Sequence, residues 1–479
     1  MTEYALTLAS MRPALPEIAL AASACVILLL DVFVGQSRRG LTAALTLIAL
    51  AVCAWLTLTM SMVTHRTVLF NGLYVADPLA TLLKLAAMVS VGFGLFYSQG
   101  YLQRRGIGGG EYYVLALTTL LGICVLISAN NLLTVYLGIE LLSLSLYAMV
   151  AFDRDSGIAA EAAIKYFVLG AIASGVLLYG MSMLYGLTGT LDLDRLAVAA
   201  SGAGAGYAIG LAFIVVAVAF KFGAVPFHMW VPDVYEGAPT SVTLFVATAP
   251  KIGSFALAYR LLAHGLAHET LVWSQMLLAI AVLSVVLGNV VAIAQTNMKR
   301  LLAYSAIANV GFTLFGFVAA DPAGYRAALS YTLVYVLTTL GSFGVVLLAV
   351  RTQGEADSLA DYKGLAARDP LLALLMLVLM LSTAGIPPFV GFWAKLWIIQ
   401  ALLNADLVWL AVLAVLVSVV GAYYYLRVIW FMYFDSGTDA RSTEPAGAAR
   451  WALTLNTLAI VGIGLFPNAL FALCSSVIN

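Results

Sequence analysis

Residues 206–229 read GYAIGLAFIVVAVAFKFGAVPFHM, and their reading decides the fold. A run of about 20 mostly apolar residues is what a helix needs to cross a bilayer. This one carries Lys221 inside it and is then interrupted by Gly223-Ala224-Val225-Pro226-Phe227. Pro226 has no N–H to donate and its ring clashes with the carbonyl four residues earlier, so the helix must break there. Irregular backbone at membrane depth is tolerated only where it is buried in protein or lines a wet cavity. The segment therefore predicts a broken, charged helix inside a polytopic membrane protein.

Working outward, the same length rule of about 20 residues gives about fourteen spans along the chain. They fall near 14–34, 41–63, 76–98, 112–128, 131–151, 160–187, 206–229, 241–262, 272–293, 301–319, 326–350, 370–402, 406–433 and 450–474. Composition agrees. Of 479 residues 63% are hydrophobic and 10% charged, too few charges to cover a water-exposed surface. Lys+Arg and Asp+Glu both total 23, which leaves no net charge to attract nucleic acid. The first run, near 15–34, has no basic segment before it and is long enough to be a retained span rather than a signal peptide. No connection is long enough to fold as a separate soluble domain, so function is expected inside the bilayer.

A second break, Gly385-Ile386-Pro387-Pro388-Phe389, matches the first and lies five spans later. An odd separation gives the two opposite orientations, the mark of an inverted repeat. The expected fold is an all-α polytopic membrane protein with two inverted five-helix repeats, each containing a broken helix. Its parts are three N-terminal spans (1–105), a first repeat (112–262, broken near 223–227), an inverted second repeat (272–433, broken near 385–389) and a last span (450–474). Twelve basic residues (Arg38, Arg39, Arg104, Arg105, Arg154, Lys299, Arg300, Arg351, Lys363, Arg368, Arg441, Arg450) fall on one side. Five (Arg12, Arg66, Arg195, Arg260, Arg326) fall on the other. The richer side is expected to be cytoplasmic, with both termini outside.

Lysine usage points to the chemistry. Of seven lysines, Lys84, Lys165, Lys221, Lys251 and Lys395 lie within expected spans, whereas the sixteen arginines lie almost wholly in connections or at span ends. A charge at a helix centre costs at least ~2.5–3.5 kcal/mol on insertion scales. Arginine holds its proton permanently, while lysine out of water can release it, so a lysine bias suits proton transfer rather than fixed charge. Simpler readings compete at the ends of spans: Lys84 can snorkel to the headgroups, and Lys165 can pair with Glu161 one turn away. Lys221, Lys251 beside Pro250, and Lys395 beyond the second break are too deep for that. Glu140 is a lone carboxylate in 132–150 and is expected to pair with Lys221. His228, two residues past Pro226, is a candidate relay. Cys25, Cys53, Cys124 and Cys474 lack the spacing of a zinc or iron–sulfur site. His264 and His268 stand without further ligands, and Gly202, Gly204 and Gly206 make no nucleotide fingerprint.

HMWVPDVYEGAPT (228–240), QTNMKRLLAYS (295–305) and GIPPFVGFWAK (385–395) resemble the antiporter-like subunits of respiratory complex I. NLLTVYLGIELLSLSLY (131–147) and EAAIKYFVLGAIASG (161–175) resemble the branch homologous to mitochondrial subunit 2. The likeness runs nearly the whole chain, and the stop at Asn479, directly after the last span, is unlike the largest subunit of that family. The resemblance implies a proton-translocating membrane-arm subunit of NADH:quinone oxidoreductase in a bacterial inner membrane. It puts the channel glutamate at Glu140, the broken-helix lysine at Lys221, the central lysine at Lys251 and the outer group at Lys395. Lys165 also matches a family lysine; Glu161 and His228 are secondary. No cofactor is expected in this chain. NADH, flavin, iron–sulfur clusters and quinone are implied in partner subunits, and the partners are other membrane-arm subunits, neighbouring antiporter-like subunits and lipid. An Mrp-type cation/proton antiporter subunit is the alternative.

Overall fold

The computed structural model describes residues 11–33, 39–60, 63, 65–199, 204–349, 355–436 and 447–478. Arg38, Gly202, Arg351 and Arg441 lie outside them. The helices in chain order are α1 (Leu15–Phe33), α2 (Arg39–Met60), α3 (Pro78–Arg105), α4 (Gly110–Ile127), α5 (Leu132–Val150), α6 (Gly157–Thr188) and the short α7 (Leu193–Ala199). Then follow α8 (Ala205–Phe222), α9 (Trp230–Gly237), α10 (Thr240–Ala247), α11 (Ala249–Ala258), α12 (Thr270–Ala294), α13 (Met298–Val318) and α14 (Pro322–Leu348). The last are α15 (Leu365–Arg368), α16 (Pro370–Ala384), α17 (Val390–Asn404), α18 (Val408–Tyr433), α19 (Ala448–Leu465) and α20 (Pro467–Val477).

Local chemistry sets the ends of these helices. Asp77, Asn131, Ser156, Asn297, Asp321 and Asp369 each accept a first-turn N–H, from Ala80, Leu133, Ala159, Arg300, Gly324 and Leu372. Such caps satisfy donors that no intrahelical carbonyl can reach. Thirteen helical stretches among the described residues are long and apolar enough to cross a membrane. The pair α16 and α17 occupies the remaining expected span, 370–402, as two shorter halves. Leu29, Phe33, Trp55, Val419 and Trp451 are exposed, so the rim helices α1, α2, α18 and α19 offer apolar side chains outward, as a lipid-facing surface requires. The centre is different: the whole of the most apolar window in 240–265 is buried, as is nearly all of α13 and α14. The segment that carries Lys251 is therefore enclosed by other helices rather than by lipid. A Cβ on Gly138 would lie 2.8 Å from the Leu126 nitrogen, so α4 and α5 approach at backbone distance.

Three boundaries differ from expectation. The span 241–262 is interrupted at Thr248 (φ −117°, ψ −91°), because Pro250 begins a new helix as its second residue. The last span, 450–474, divides at Phe466, since Pro467 can start a helix but cannot continue one. A hairpin not foreseen pairs β1 (Thr67–Leu69) with β2 (Tyr74–Ala76), Leu69 opposite Tyr74. Its turn carries positive φ at Phe70, Asn71 and Gly72, and Asn-Gly was the overlooked signal. The backbone is non-helical at both expected breaks, 223–227 and 385–389.

Candidate functional site

At the first break α8 ends on Gly223, at φ +76°. Gly223 N–H donates to Phe220 O and Ala224 N–H to Ala219 O, both at 2.9 Å. This closes the helix and leaves later carbonyls without backbone donors. Ser254 Oγ donates to Lys221 O (3.1 Å), and Lys251 Nζ donates to Phe222 O (2.8 Å). The ammonium of Lys251 thus sits at the negative end of a helix dipole. Its other near neighbour is the ring of Trp230, 5.7 Å away.

The second break repeats this arrangement. Gly385 has φ +86°; its N–H donates to Ser382 O, and Ile386 N–H donates to Leu381 O, both at 3.0 Å. Lys395 Nζ donates to Ala384 O at 2.9 Å and lies over the Phe312 ring at 5.2 Å. In each break a lysine, buried for Lys251 and half-buried for Lys395, donates to the carbonyl immediately before the left-handed glycine. Lys251 reaches it from the neighbouring α11, whereas Lys395 comes from the second half of its own broken helix. A Cβ on Gly385 would lie 2.9 Å from Lys395 Cδ, so the glycine also makes room for the lysine stem.

Lys221 donates to Ser143 Oγ on α5 at 2.7 Å. Among the described residues none of Lys221, Lys251 and Lys395 forms an ion pair, and each has one protein hydrogen bond. An ammonium carries three donors, so two on each lysine have no protein acceptor among the described residues. Lys221 and Lys251 line one cavity of about 20 Å³ together with Ser143, Tyr166, Trp230 and Ser254. That is room for about one water molecule. Lys395 lines a smaller polar one with Asn309, Tyr331, Tyr335, Thr338, Ser382 and Thr383. Behind it, Tyr331 donates to Asn309 Oδ1 (2.6 Å), and Asn309 Nδ2 donates to Ser305 O (2.7 Å). The sequence reading missed this cluster. Its signals were a lone asparagine in an apolar run and tyrosines four apart on one helix.

The remaining expected residues lie elsewhere. Glu140 does not pair with Lys221: α5 turns Ser143, one helical turn on, toward the amine instead, and Glu140 Oε1 is buried without a hydrogen bond. The carboxylate is still within electrostatic reach of Lys221. Lys165 is exposed and bound to Glu161 (2.9 Å) and to Asp233 of α9 (2.7 Å). Asp233 and Glu236 in turn hold Arg300. Burial pushes the Asp233 carboxyl up, but Lys165 and Arg300 overrule it and hold it below the usual range. His228 is half-buried, its Nδ1 has no hydrogen-bond partner, and it does not line the lysine cavity. Lys84 does not snorkel. It is 1% exposed and bound to Glu17 (2.5 Å) and Tyr74 Oη (2.8 Å), because α1 brings a carboxylate to its depth.

Residues 129–421 match the family model described as NADH:quinone oxidoreductase/Mrp antiporter, transmembrane. The chain is 50% identical over 477 residues to NADH-quinone oxidoreductase subunit N of Thiobacillus denitrificans, covering 99% of both. It is similar to a chain of respiratory complex I from Thermus thermophilus, with TM-score 0.83 and 32% identity, over 96% of this chain and 99% of that one. It shares a fold with a chain of the Mrp complex from Dietzia sp., with TM-score 0.84 at 22% identity, over 98% and 97%.

Proposed function

We propose, from the premise that this chain belongs to the NADH:quinone oxidoreductase/Mrp antiporter family of membrane subunits, that it moves protons through Lys221, Lys251 and Lys395. It does so as a membrane-arm subunit of proton-pumping NADH:quinone oxidoreductase. One observation carries this reading: two lysines, Lys251 buried and Lys395 half-buried, each cap the C-terminus of a broken helix, with no carboxylate among the described residues to hold their protons. A fixed structural cation would have a fixed counter-ion, as Lys84 has in Glu17. Lysines held by a carbonyl and water can instead receive a proton and give it up.

In this scheme Lys221, with Ser143 as its acceptor and Glu140 acting from a distance, passes its proton across the shared cavity to Lys251. Lys395 releases a proton toward the outside by way of the Asn309–Tyr331 cluster. NADH, flavin, iron–sulfur clusters and quinone belong to partner subunits, so redox energy arrives here as electrostatic or conformational work. Moving one charge against 100 mV requires ~2.3 kcal/mol. We place the chain in the bacterial inner membrane with its basic connections in the cytoplasm and its termini outside. We read 112–262 and 272–433 as inverted repeats. Glu161, Lys165 and His228 remain secondary candidates.

The test is proton uptake by vesicles containing the assembled complex. Lys221→Ala, Lys251→Ala and Lys395→Ala should each lower protons moved per NADH oxidised. Parental stoichiometry in all three would end this reading. Copurification with NADH-oxidising subunits separates it from an Mrp-type cation/proton antiporter subunit.

A further inference from the structure

A second polar space lies apart from the lysine cavities. It is a vestibule of about 250 Å³ lined by Arg105, Asp153, Glu236, Lys299, Glu355 and Asp357 on the side rich in basic connections. Four acids against two bases make it a net anionic funnel, which concentrates cations. Lys299 Nζ, 2% exposed as a residue, donates to Glu355 (2.9 Å) and lies 3.4 Å from Asp357. Glu355 also accepts from the hydroxyls of Thr240 and Tyr101, while Asp357 Oδ1 has no hydrogen-bond partner.

The vestibule and the Lys251 cavity are joined by one short helix. Trp230, at the start of α9, lines the lysine cavity, and Glu236 and Gly237, at its end, line the vestibule. Eight residues of helix span roughly 12 Å. Two buried hydroxyls without hydrogen-bond partners lie on this stretch of chain: Tyr235 on α9 and Ser241 at the start of α10, both 0% exposed. Ser241 follows Thr240, one of the residues that bond Glu355. A fully buried hydroxyl with no protein partner is costly unless water satisfies it.

We propose that this vestibule is the mouth through which cytoplasmic protons are taken up, and that the route inward runs along the Tyr235 and Ser241 hydroxyls to Lys251. The proposal rests on the proton-translocating reading above. The two acids on Lys299 are matched to the task. Burial pushes the Asp357 carboxyl above its usual range against the pull of Lys299. Burial acts on Glu355 too, but Lys299 and the two hydroxyls overrule it and hold it low. Neighbouring acids driven apart in this way divide the roles. Asp357 takes the proton from a hydronium ion in the vestibule and passes it to water between the hydroxyls, while Glu355 stays anionic and holds Lys299 beside it.

Initial rates of proton uptake by vesicles containing the whole complex test this, with the pH varied on the vestibule side. Asp357→Asn should slow uptake about tenfold at alkaline pH and less at acid pH, where hydronium supply no longer limits capture. Asp357→Glu should restore the parental profile. Glu355→Gln strands Lys299 and can disturb folding, so the inner leg is read from Tyr235→Phe and Ser241→Ala, which remove only oxygens without protein partners. Their double variant should assemble and pump slowly at every pH. Parental rates and an unchanged pH profile in Asp357→Asn overturn the mouth; parental rates in the assembled double variant overturn the inner leg. Lys251→Ala, measured alongside, separates the two levels. If it is blocked while the vestibule variants pump normally, only the uptake route fails. If it pumps normally, the translocation reading fails and takes this route with it.

Discussion

Replacing Lys251 with arginine separates charge from proton transfer. Lys251 is 3% exposed and has one protein acceptor, Phe222 O at 2.8 Å. Lys251→Ala removes that charged hydrogen bond, worth about 1.5–3 kcal/mol, and leaves a hole as well. A pumping defect in that variant therefore mixes packing with chemistry. Lys251→Arg keeps the positive charge, the reach to Phe222 O and most of the bulk. What it loses is release: a group with a pKa above 12 requires about 7 kcal/mol to deprotonate at pH 7. That is about three times the ~2.3 kcal/mol needed to carry a charge against 100 mV. It corresponds to a rate penalty of roughly 10⁵ on any step through the residue. The assay is the initial rate of proton uptake per NADH oxidised in vesicles, normalised to assembled complex. We expect Lys251→Arg to be blocked nearly as fully as Lys251→Ala. Near-parental pumping by Lys251→Arg would mean that the site needs only a fixed charge, and the relay role would have to be abandoned.

Four further outcomes follow from the same geometry. Glu140→Ala and Lys221→Ala should assemble and pump less in the same assay, and normal pumping by assembled Glu140→Ala would remove that carboxylate from the path. Lys84→Ala leaves Glu17 buried and unpaired, so thermal unfolding of the complex should show a loss of about 3–5 kcal/mol, whereas assembled Lys84→Arg should pump normally. Gly385→Ala places a Cβ 2.9 Å from Lys395 Cδ at φ +86°; it should cost about 1–3 kcal/mol and reduce pumping. At the opposite face Arg260 grips Asp77 at 2.7 and 3.0 Å. Both groups are buried, at 7% and 3% exposed, so each depends on the other for its charge partner. Asp77→Asn strands the buried guanidinium and should cost about 3–5 kcal/mol in thermal unfolding of the complex.

The sequence alone determined the membrane class, the approximate number of spans and the positions of both breaks. These follow from local facts: run length, the missing N–H of proline and the cost of a charge in lipid each act within one segment. It also marked Lys221, Lys251 and Lys395, because a lysine in the middle of an apolar run is anomalous wherever its neighbours lie. Partnership was different. Whether Lys221 meets Glu140 or Ser143 depends on the rotation of α5, set by backbone contact at Gly138, and one turn of a helix exchanges one side chain for the other. Lys84 read as a snorkelling residue until packing of α1 placed Glu17 beside it. The vestibule gathers its acids and bases from helices and loops across more than two hundred residues of chain, and only tertiary packing brings them onto Lys299. Depth in the bilayer is written in each segment, but which groups share a proton is decided by the angles at which the segments pack.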